Sequence, residues 1–406
     1  MRTFHDPEAF ARVQRLPADP AAARLRDALA RGVDVVDLST GNPDGAPPPR
    51  VVEALRAAAG DARMHRYLDP RGIPELREAA AAWWKRRHGV ALDPETEVLA
   101  TIGTREGIGH AAIALLAPGD ALMAPAPAYP AHAHAAVLAG AETIFVPVGP
   151  GIDFMESLYL ASEKAERRPR GLLVSFPSNP TTATASPELL QKVLRFAEAR
   201  NLFILSDLAH CDLVFEGRAP AMLELPGAKE RTLEFMSLSK SYSMPGWRVG
   251  FAAGNPALLA AAARVKSYLD YGAFAPIQIA AVAALNGPQD CVGAMRVEYR
   301  KRRDVLVKGL HAAGWNVPSP DASMFLWAPI PDRFRHLGSV GFSKLLLEKA
   351  KVAVAPGLGF GEHGDEHVRI ALVENEHRIR QALRGIKGFL AADNAGPVDG
   401  MEVDAA

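Results

Sequence analysis

Ser237-Leu238-Ser239-Lys240, followed by Gly246-Trp247-Arg248-Val249-Gly250, sets one amine in a hydroxyl-rich turn and one guanidinium shortly after it. A lysine amine can form a Schiff base with an aldehyde, while serine hydroxyls and an arginine can hold a dianion. Pyridoxal 5′-phosphate carries an aldehyde and a phosphate on one pyridine ring, and the ring nitrogen needs a carboxylate partner. Asp207, closing Ile204-Leu205-Ser206-Asp207, is a carboxylate of the required kind. A Ser-Lys pair standing alone reads as a surface lysine beside a structural arginine. Here the remaining parts of such a site occur in chain order, and the cofactor reading follows from the set.

Outward from this stretch, strands and helices alternate. Apolar runs over 33–38, 98–102, 121–124, 143–146, 171–176, 202–206, 233–238 and 249–253 predict strands. Helices are expected over 49–59, 74–87 and 187–199, the last with Ser186 as N-cap and Pro187 in its first turn. This alternation predicts an α/β protein whose large domain has a mostly parallel sheet flanked by helices. After residue 285 the pattern changes to a helix over 298–312, strands over 324–328, 352–355 and 367–372, and a closing helix over 378–390. The expected organisation is an N-terminal arm (1–45) packing with the small domain, a large cofactor-binding domain (46–285), a smaller α+β domain (286–392) and a disordered acidic tail (393–406).

Bulk properties narrow the function. The 406 residues carry 46 basic and 46 acidic side chains, so no global field favours nucleic acid or an anionic membrane. Cys211 and Cys291 are too few for a disulfide framework or a cysteine zinc site, and fit a reducing cytosol. Met1-Arg2-Thr3-Phe4-His5-Asp6 lacks the apolar run of a secretory signal, and no stretch has the apolar length of a membrane span. The expectation is a soluble cytoplasmic protein without metal.

Further candidates fall at the carboxyl ends of predicted strands, where open α/β sheets bind ligands. Gly103-Thr104-Arg105 opens a helix whose first N–H groups can cradle a phosphate. Tyr129, in Ala128-Tyr129-Pro130, offers an aromatic face for the pyridine ring. Asn179, held in Pro177-Ser178-Asn179-Pro180-Thr181, can donate to the ring oxygen. Asp207 keeps the ring nitrogen protonated, which lets the ring accept electrons from a breaking Cα bond. Lys240 holds the cofactor and, once displaced, serves as the base at Cα. Arg369, in Val368-Arg369-Ile370-Ala371-Leu372, is a planar partner for an α-carboxylate. Each is ordinary when taken singly.

Taken together, these residues make the chain recognisable: over roughly 30–392 it resembles the fold-type I, class I/II aminotransferases, and most nearly the bacterial alanine (glutamate–pyruvate) transaminases among them. The resemblance rests on Gly41-Asn42-Pro43-Asp44-Gly45, Arg71-Gly72-Ile73-Pro74, Phe176-Pro177-Ser178-Asn179-Pro180-Thr181, Gly246-Trp247-Arg248 and Gly357-Leu358-Gly359-Phe360-Gly361. It implies that Lys240 is the Schiff-base lysine, Asp207 the partner of the ring nitrogen and Tyr129 the stacking aromatic. Gly103, Thr104, Arg105, Ser237, Ser239 and Arg248 then form the phosphate cup. Arg369, with Asn179, Gly41 and Asn42, meets the substrate. The family places its sites at a homodimer interface, and Tyr67 matches the tyrosine that reaches the neighbour's phosphate.

The departures are histidines. Asp207-Leu208-Ala209-His210 puts His210 where the family has a tyrosine bonded to the cofactor's ring oxygen, and His134 and His363 stand near further family tyrosines. The aromatic that follows Arg15-Leu16-Pro17 in the family is missing from Ala18-Asp19-Pro20. The leading expectation is amino transfer between an L-amino acid of the alanine or glutamate kind and a 2-oxo acid. The alternative is another outcome of pyridoxal chemistry on the same scaffold (elimination, replacement, cyclisation or carbon–carbon bond formation). A transcription regulator built on this scaffold would carry a DNA-binding domain ahead of it, and the fold is expected to begin by about residue 30.

Overall fold

A computed structural model describes residues 20–392. The Arg15-Leu16-Pro17 segment and the expected acidic tail lie outside the described residues. In chain order the strands are β1 (Val36–Leu38), β2 (Val98–Thr101), β3 (Ala121–Ala126), β4 (Glu142–Pro147), β5 (Pro169–Ser175), β6 (Phe203–Asp207), β7 (Thr232–Ser237), β8 (Gly250–Gly254), β9 (Phe325–Pro329), β10 (Val352–Pro356) and β11 (His367–Ala371). The chain forms two compact units.

The first unit comprises Asn42–Glu298 together with Asp321–Ser323. Its sheet has seven strands in the order β2-β8-β7-β6-β5-β3-β4, all parallel to their neighbours except β8, which runs antiparallel to both β2 and β7. The central strands are apolar on both faces because both faces are covered. Leu99, Leu122, Leu205 and Phe235 pack under the helices Thr104–Leu115, Pro130–Leu138 and Pro256–Leu269. Met123, Leu172, Val174 and Ile204 pack on the other face under Phe154–Lys164 and Pro187–Arg200. Each fully buried leucine contributes about 2 kcal/mol. Ser186 Oγ accepts the Leu189 N–H and Asn201 ends the same helix in the left-handed region. The segment 321–323 joins this unit through a bridge between Val214 and Ala322, with Phe215 N donating to the Asp321 carbonyl at 2.9 Å.

The second unit comprises described residues 20–41, Tyr299–Pro320 and 324–392. Its four-stranded sheet has the order β1-β10-β11-β9, with β1 parallel to β10 and the other pairs antiparallel. The strand expected over 33–38 is shorter, Val36–Leu38, because Val33 N turns back to the Ala28 carbonyl at the end of the helix Pro20–Ala30. The helix expected from 298 begins at Asp290; Gly293 and the mixed polarity of 290–297 blur its period in the sequence.

Candidate active site

Carboxyl ends of the first unit's strands form one row. Ser175 pairs with Asp207, Asp207 with Phe235, and Gly250 with both Ser237 and Thr101. Because β8 is antiparallel, it is its beginning, next to Arg248, that reaches this end of the sheet. Sequence neighbours of these strand ends supply Thr104, Asn179, Asp207, Lys240 and Arg248.

Lys240 lies on the helical turn Leu238–Ser241 directly after β7. Ser237 Oγ accepts the Ser239 N–H at 3.2 Å and donates to Ser239 Oγ at 2.8 Å, and both serines are buried. Arg248 has φ +54, an uncommon conformation for a residue with a side chain. Its guanidinium compensates with three hydrogen bonds: Nη1 to the Pro245 carbonyl at 2.9 Å, Nη1 to Ser239 Oγ at 3.4 Å, and Nη2 to the Ile102 carbonyl at 3.2 Å. Gly103, at φ +78, lies against that guanidinium; a methyl group there would be 2.5 Å from Arg248 Nη2. Gly103 therefore admits the guanidinium where any side chain would exclude it, and the helix Thr104–Leu115 starts at once with Thr104 buried. Serine hydroxyls, a fixed guanidinium and a helix start with unpaired N–H groups make a cradle for a dianion.

Asp207 is 4% exposed. Its Oδ1 accepts the Ala209 N–H at 2.9 Å, and its Oδ2 accepts from Thr104 Oγ1 at 3.5 Å. Oδ2 also lies 2.8 Å from His132 Nε2. Next to a carboxylate, Nε2 carries the proton and donates it. His132 is 1% exposed, and its Nδ1 is buried without a partner among the described residues. This pair was not anticipated from the sequence. The available signal was position: His132 follows Tyr129 by three on the helix Pro130–Leu138, so both project from one end of it. The two rings meet edge to face at 5.6 Å, and the Arg105 guanidinium stands 5.1 Å over the Tyr129 ring.

The other sequence candidates are distributed as follows. Asn179 is half-buried in the turn after β5, where Ser178 N donates to the Ala183 carbonyl. His210 is buried, with Nδ1 3.5 Å from Ser323 Oγ, a contact made by the 321–323 excursion. The neighbouring Cys211 is fully buried beside the Met236 sulfur at 3.6 Å; burial pushes its thiol up, so it is no nucleophile. His134 is half-buried, and burial and then the nearby Arg105 charge lower its pKa. Tyr67 is 90% exposed and meets Tyr271 edge on at 5.3 Å. Asn42 is exposed.

In the second unit, the Arg369 guanidinium lies between two rings, 4.2 Å from the centre of Phe325 and 4.5 Å from that of Phe360. Its Nη2 donates to the Ser39 carbonyl at 2.9 Å. Gly41 packs so closely on Phe325 that a methyl group there would approach the ring to 2.5 Å. His363 is exposed in the short turn Glu362–Gly364.

The first unit's groups fit pyridoxal 5′-phosphate. They offer an anion cradle whose guanidinium lies against Gly103, a buried carboxylate, and a lysine on the turn that carries the cradle's serines. The sequence matches the family Aminotransferase class I and II over residues 33–386. It is 46% identical over 398 residues to the glutamate-pyruvate aminotransferase AlaC of Escherichia coli (strain K12), covering 97% of both chains. AatC of Rhizobium meliloti (strain 1021) is 50% identical, with 95% of this chain and 96% of the relative covered. Among solved structures, a probable N-succinyldiaminopimelate aminotransferase from Thermus thermophilus superposes with a TM-score of 0.83 at 36% identity, covering 94% of this chain and all of that one. These relatives do not favour elimination, replacement, cyclisation or carbon–carbon bond formation. Over nearly its whole length the chain belongs to the aminotransferase class I and II family, and it is an aminotransferase.

Proposed function

We propose that the enzyme moves an amino group between an L-amino acid of the alanine or glutamate kind and a 2-oxo acid, with pyridoxal 5′-phosphate held by Lys240, Asp207 and the cradle at Arg248. The observation that carries this reading is the occurrence, in one row of strand ends, of the buried Asp207–His132 pair and the Gly103–Arg248–Ser239 cradle. The substrate class is supported by the 46% identity to AlaC over 97% of the chain.

When bound, the cofactor withdraws electrons from a Cα bond of the amino acid into its ring. Asp207 holds a proton on the ring nitrogen, and His132, by donating to Oδ2, fixes the orientation of that carboxylate. Thr104, Ser237, Ser239 and Arg248 hold the phosphate. Tyr129 covers one ring face, and Asn179 donates to the ring oxygen. Lys240 Nζ takes the proton from the substrate's Cα. Arg369 binds the α-carboxylate, its plane already set by Phe325 and Phe360.

The working form is a cytoplasmic homodimer in which Tyr67 serves the neighbour's phosphate. In its support, Tyr67, Tyr268, Leu269, Tyr271 and Phe274 are all large and exposed on the single chain.

A single-turnover experiment tests this reading. With L-alanine or L-glutamate and no oxo acid, the bound cofactor's absorbance should shift completely and one 2-oxo acid per site should appear. Release of ammonia in place of a retained amino group would overturn it. Sedimentation of the same sample should show a dimer, and a monomer at working concentration would count against the shared site.

His210 is assigned the tyrosine's task of donating to the ring oxygen. His210→Tyr should retain activity. In His210→Phe the lost donor disfavours the ring-oxygen anion, so the cofactor's absorbance titration should move up by about one pH unit. An unmoved titration with unchanged turnover in His210→Phe would remove this role.

A further inference from the structure

Lys266, on the helix Pro256–Leu269, is 1% exposed. A buried ammonium is costly unless it is closely paired. Its Nζ donates to Glu106 Oε1 at 2.9 Å and to Asp270 Oδ1 at 2.9 Å, and His110 Nδ1 lies 2.7 Å from the same Glu106 oxygen. None of these side chains belongs to the site described above. Glu106 nevertheless reaches it by a short route. Its second oxygen, Oε2, accepts the Ile102 N–H at 2.9 Å. The Ile102 carbonyl in turn accepts from Arg248 Nη2 at 3.2 Å, and Arg248 Nη1 bonds Ser239 Oγ at 3.4 Å. Both polar backbone groups of the residue before Gly103 are thereby fixed from opposite sides, one by the buried ion cluster and one by the cradle arginine. Burial raises the Glu106 carboxyl's pKa, but His110 and Lys266 outweigh it and hold it at about 2, so Glu106 stays an anion throughout the working range.

We propose that Lys266 and Glu106 are positioning residues for the phosphate end of the cofactor: the pair clamps Ile102, and through Ile102 it sets the Gly103–Thr104 helix start and the Arg248 guanidinium. The inference rests on the reading of Gly103, Ser239 and Arg248 as the phosphate cup. It differs from a purely stabilising ion pair in being specific to the phosphate, and that difference is measurable.

Glu106→Gln is the cleanest variant, because it preserves shape yet must turn an NH2 group toward either the Ile102 N–H or the Lys266 ammonium, both of them donors. Affinities of the full-length apoprotein for pyridoxal 5′-phosphate and for phosphate-free pyridoxal are measured by fluorescence titration. Glu106→Gln should weaken pyridoxal 5′-phosphate by about tenfold while pyridoxal changes by less than about twofold. Lys266→Met, which removes the clamp from its other side, should lower the same ratio at least as much. A ratio equal to that of the parent in either folded variant overturns the proposal, even if thermal stability falls. A parent enzyme that binds the two compounds equally would overturn the cup reading itself, and this inference with it.

Discussion

Lys240→Ala is expected to abolish turnover, with a loss on the order of 10⁴-fold or more, because one side chain is both the covalent anchor and the base at Cα. The variant should still take up pyridoxal 5′-phosphate, since Ser237, Ser239 and Arg248 hold one another without the lysine. Borohydride reduction of the parent should leave the phosphopyridoxyl group on the peptide containing Ser239-Lys240-Ser241, and mass spectrometry locates it. Lys266 is an instructive competitor, being a buried amine in the same unit. Its Nζ is already held between two carboxylates, which keeps it from reaching an aldehyde. An adduct on Lys266, or on any lysine other than Lys240, would sink the assignment.

Asp207→Asn should lower kcat by about 10²- to 10³-fold, the usual cost of removing one preorganised charge from a reaction centre. The substitution keeps the size of the side chain, so the fold and the cradle at Arg248 should survive. Cofactor should remain bound, with an altered spectrum, because an amide cannot stabilise a proton on the ring nitrogen. His132 would face a neutral group in place of the carboxylate 2.8 Å away. Steady-state kinetics on cofactor-saturated enzyme gives the answer, and a kcat within tenfold of the parent would show that Asp207 does not partner the ring.

What could be read from the sequence was local. Lys240, Ser237, Ser239 and Asp207 stand at or just beyond strand ends and Arg248 just before a strand, where short apolar runs meet polar turns, and the fold class follows from how those runs alternate with helices. Long-range relations were not legible. His132 meets Asp207 across 75 residues, and Lys266 meets Glu106 across 160. Nothing in the local pattern distinguishes either from an ordinary helical side chain. The helix Ala275–Asn286 is apolar on most sides because it is covered on most sides, which erases the period that would announce it. The return of residues 321–323 to the first unit, just before β9 of the second, depends on a single bridge and three residues. Without that return Ser323 would not lie beside His210.

The insertion of β8 between β2 and β7 has a consequence for how the enzyme is made. Ile102 and Arg248 touch although 146 residues separate them, and the strand that joins their ends of the sheet is the last of the seven to be synthesised. A nascent chain that has emerged through β7 already contains Asp207 and His132, the pair that would hold the ring. It lacks Arg248, and β2 has no neighbour to pair with. The grip on the phosphate is therefore completed only when β8 slots into the gap. A chain cut short before β8 is therefore expected to lack its grip on the phosphate, and tight cofactor binding to mark a sheet that has closed.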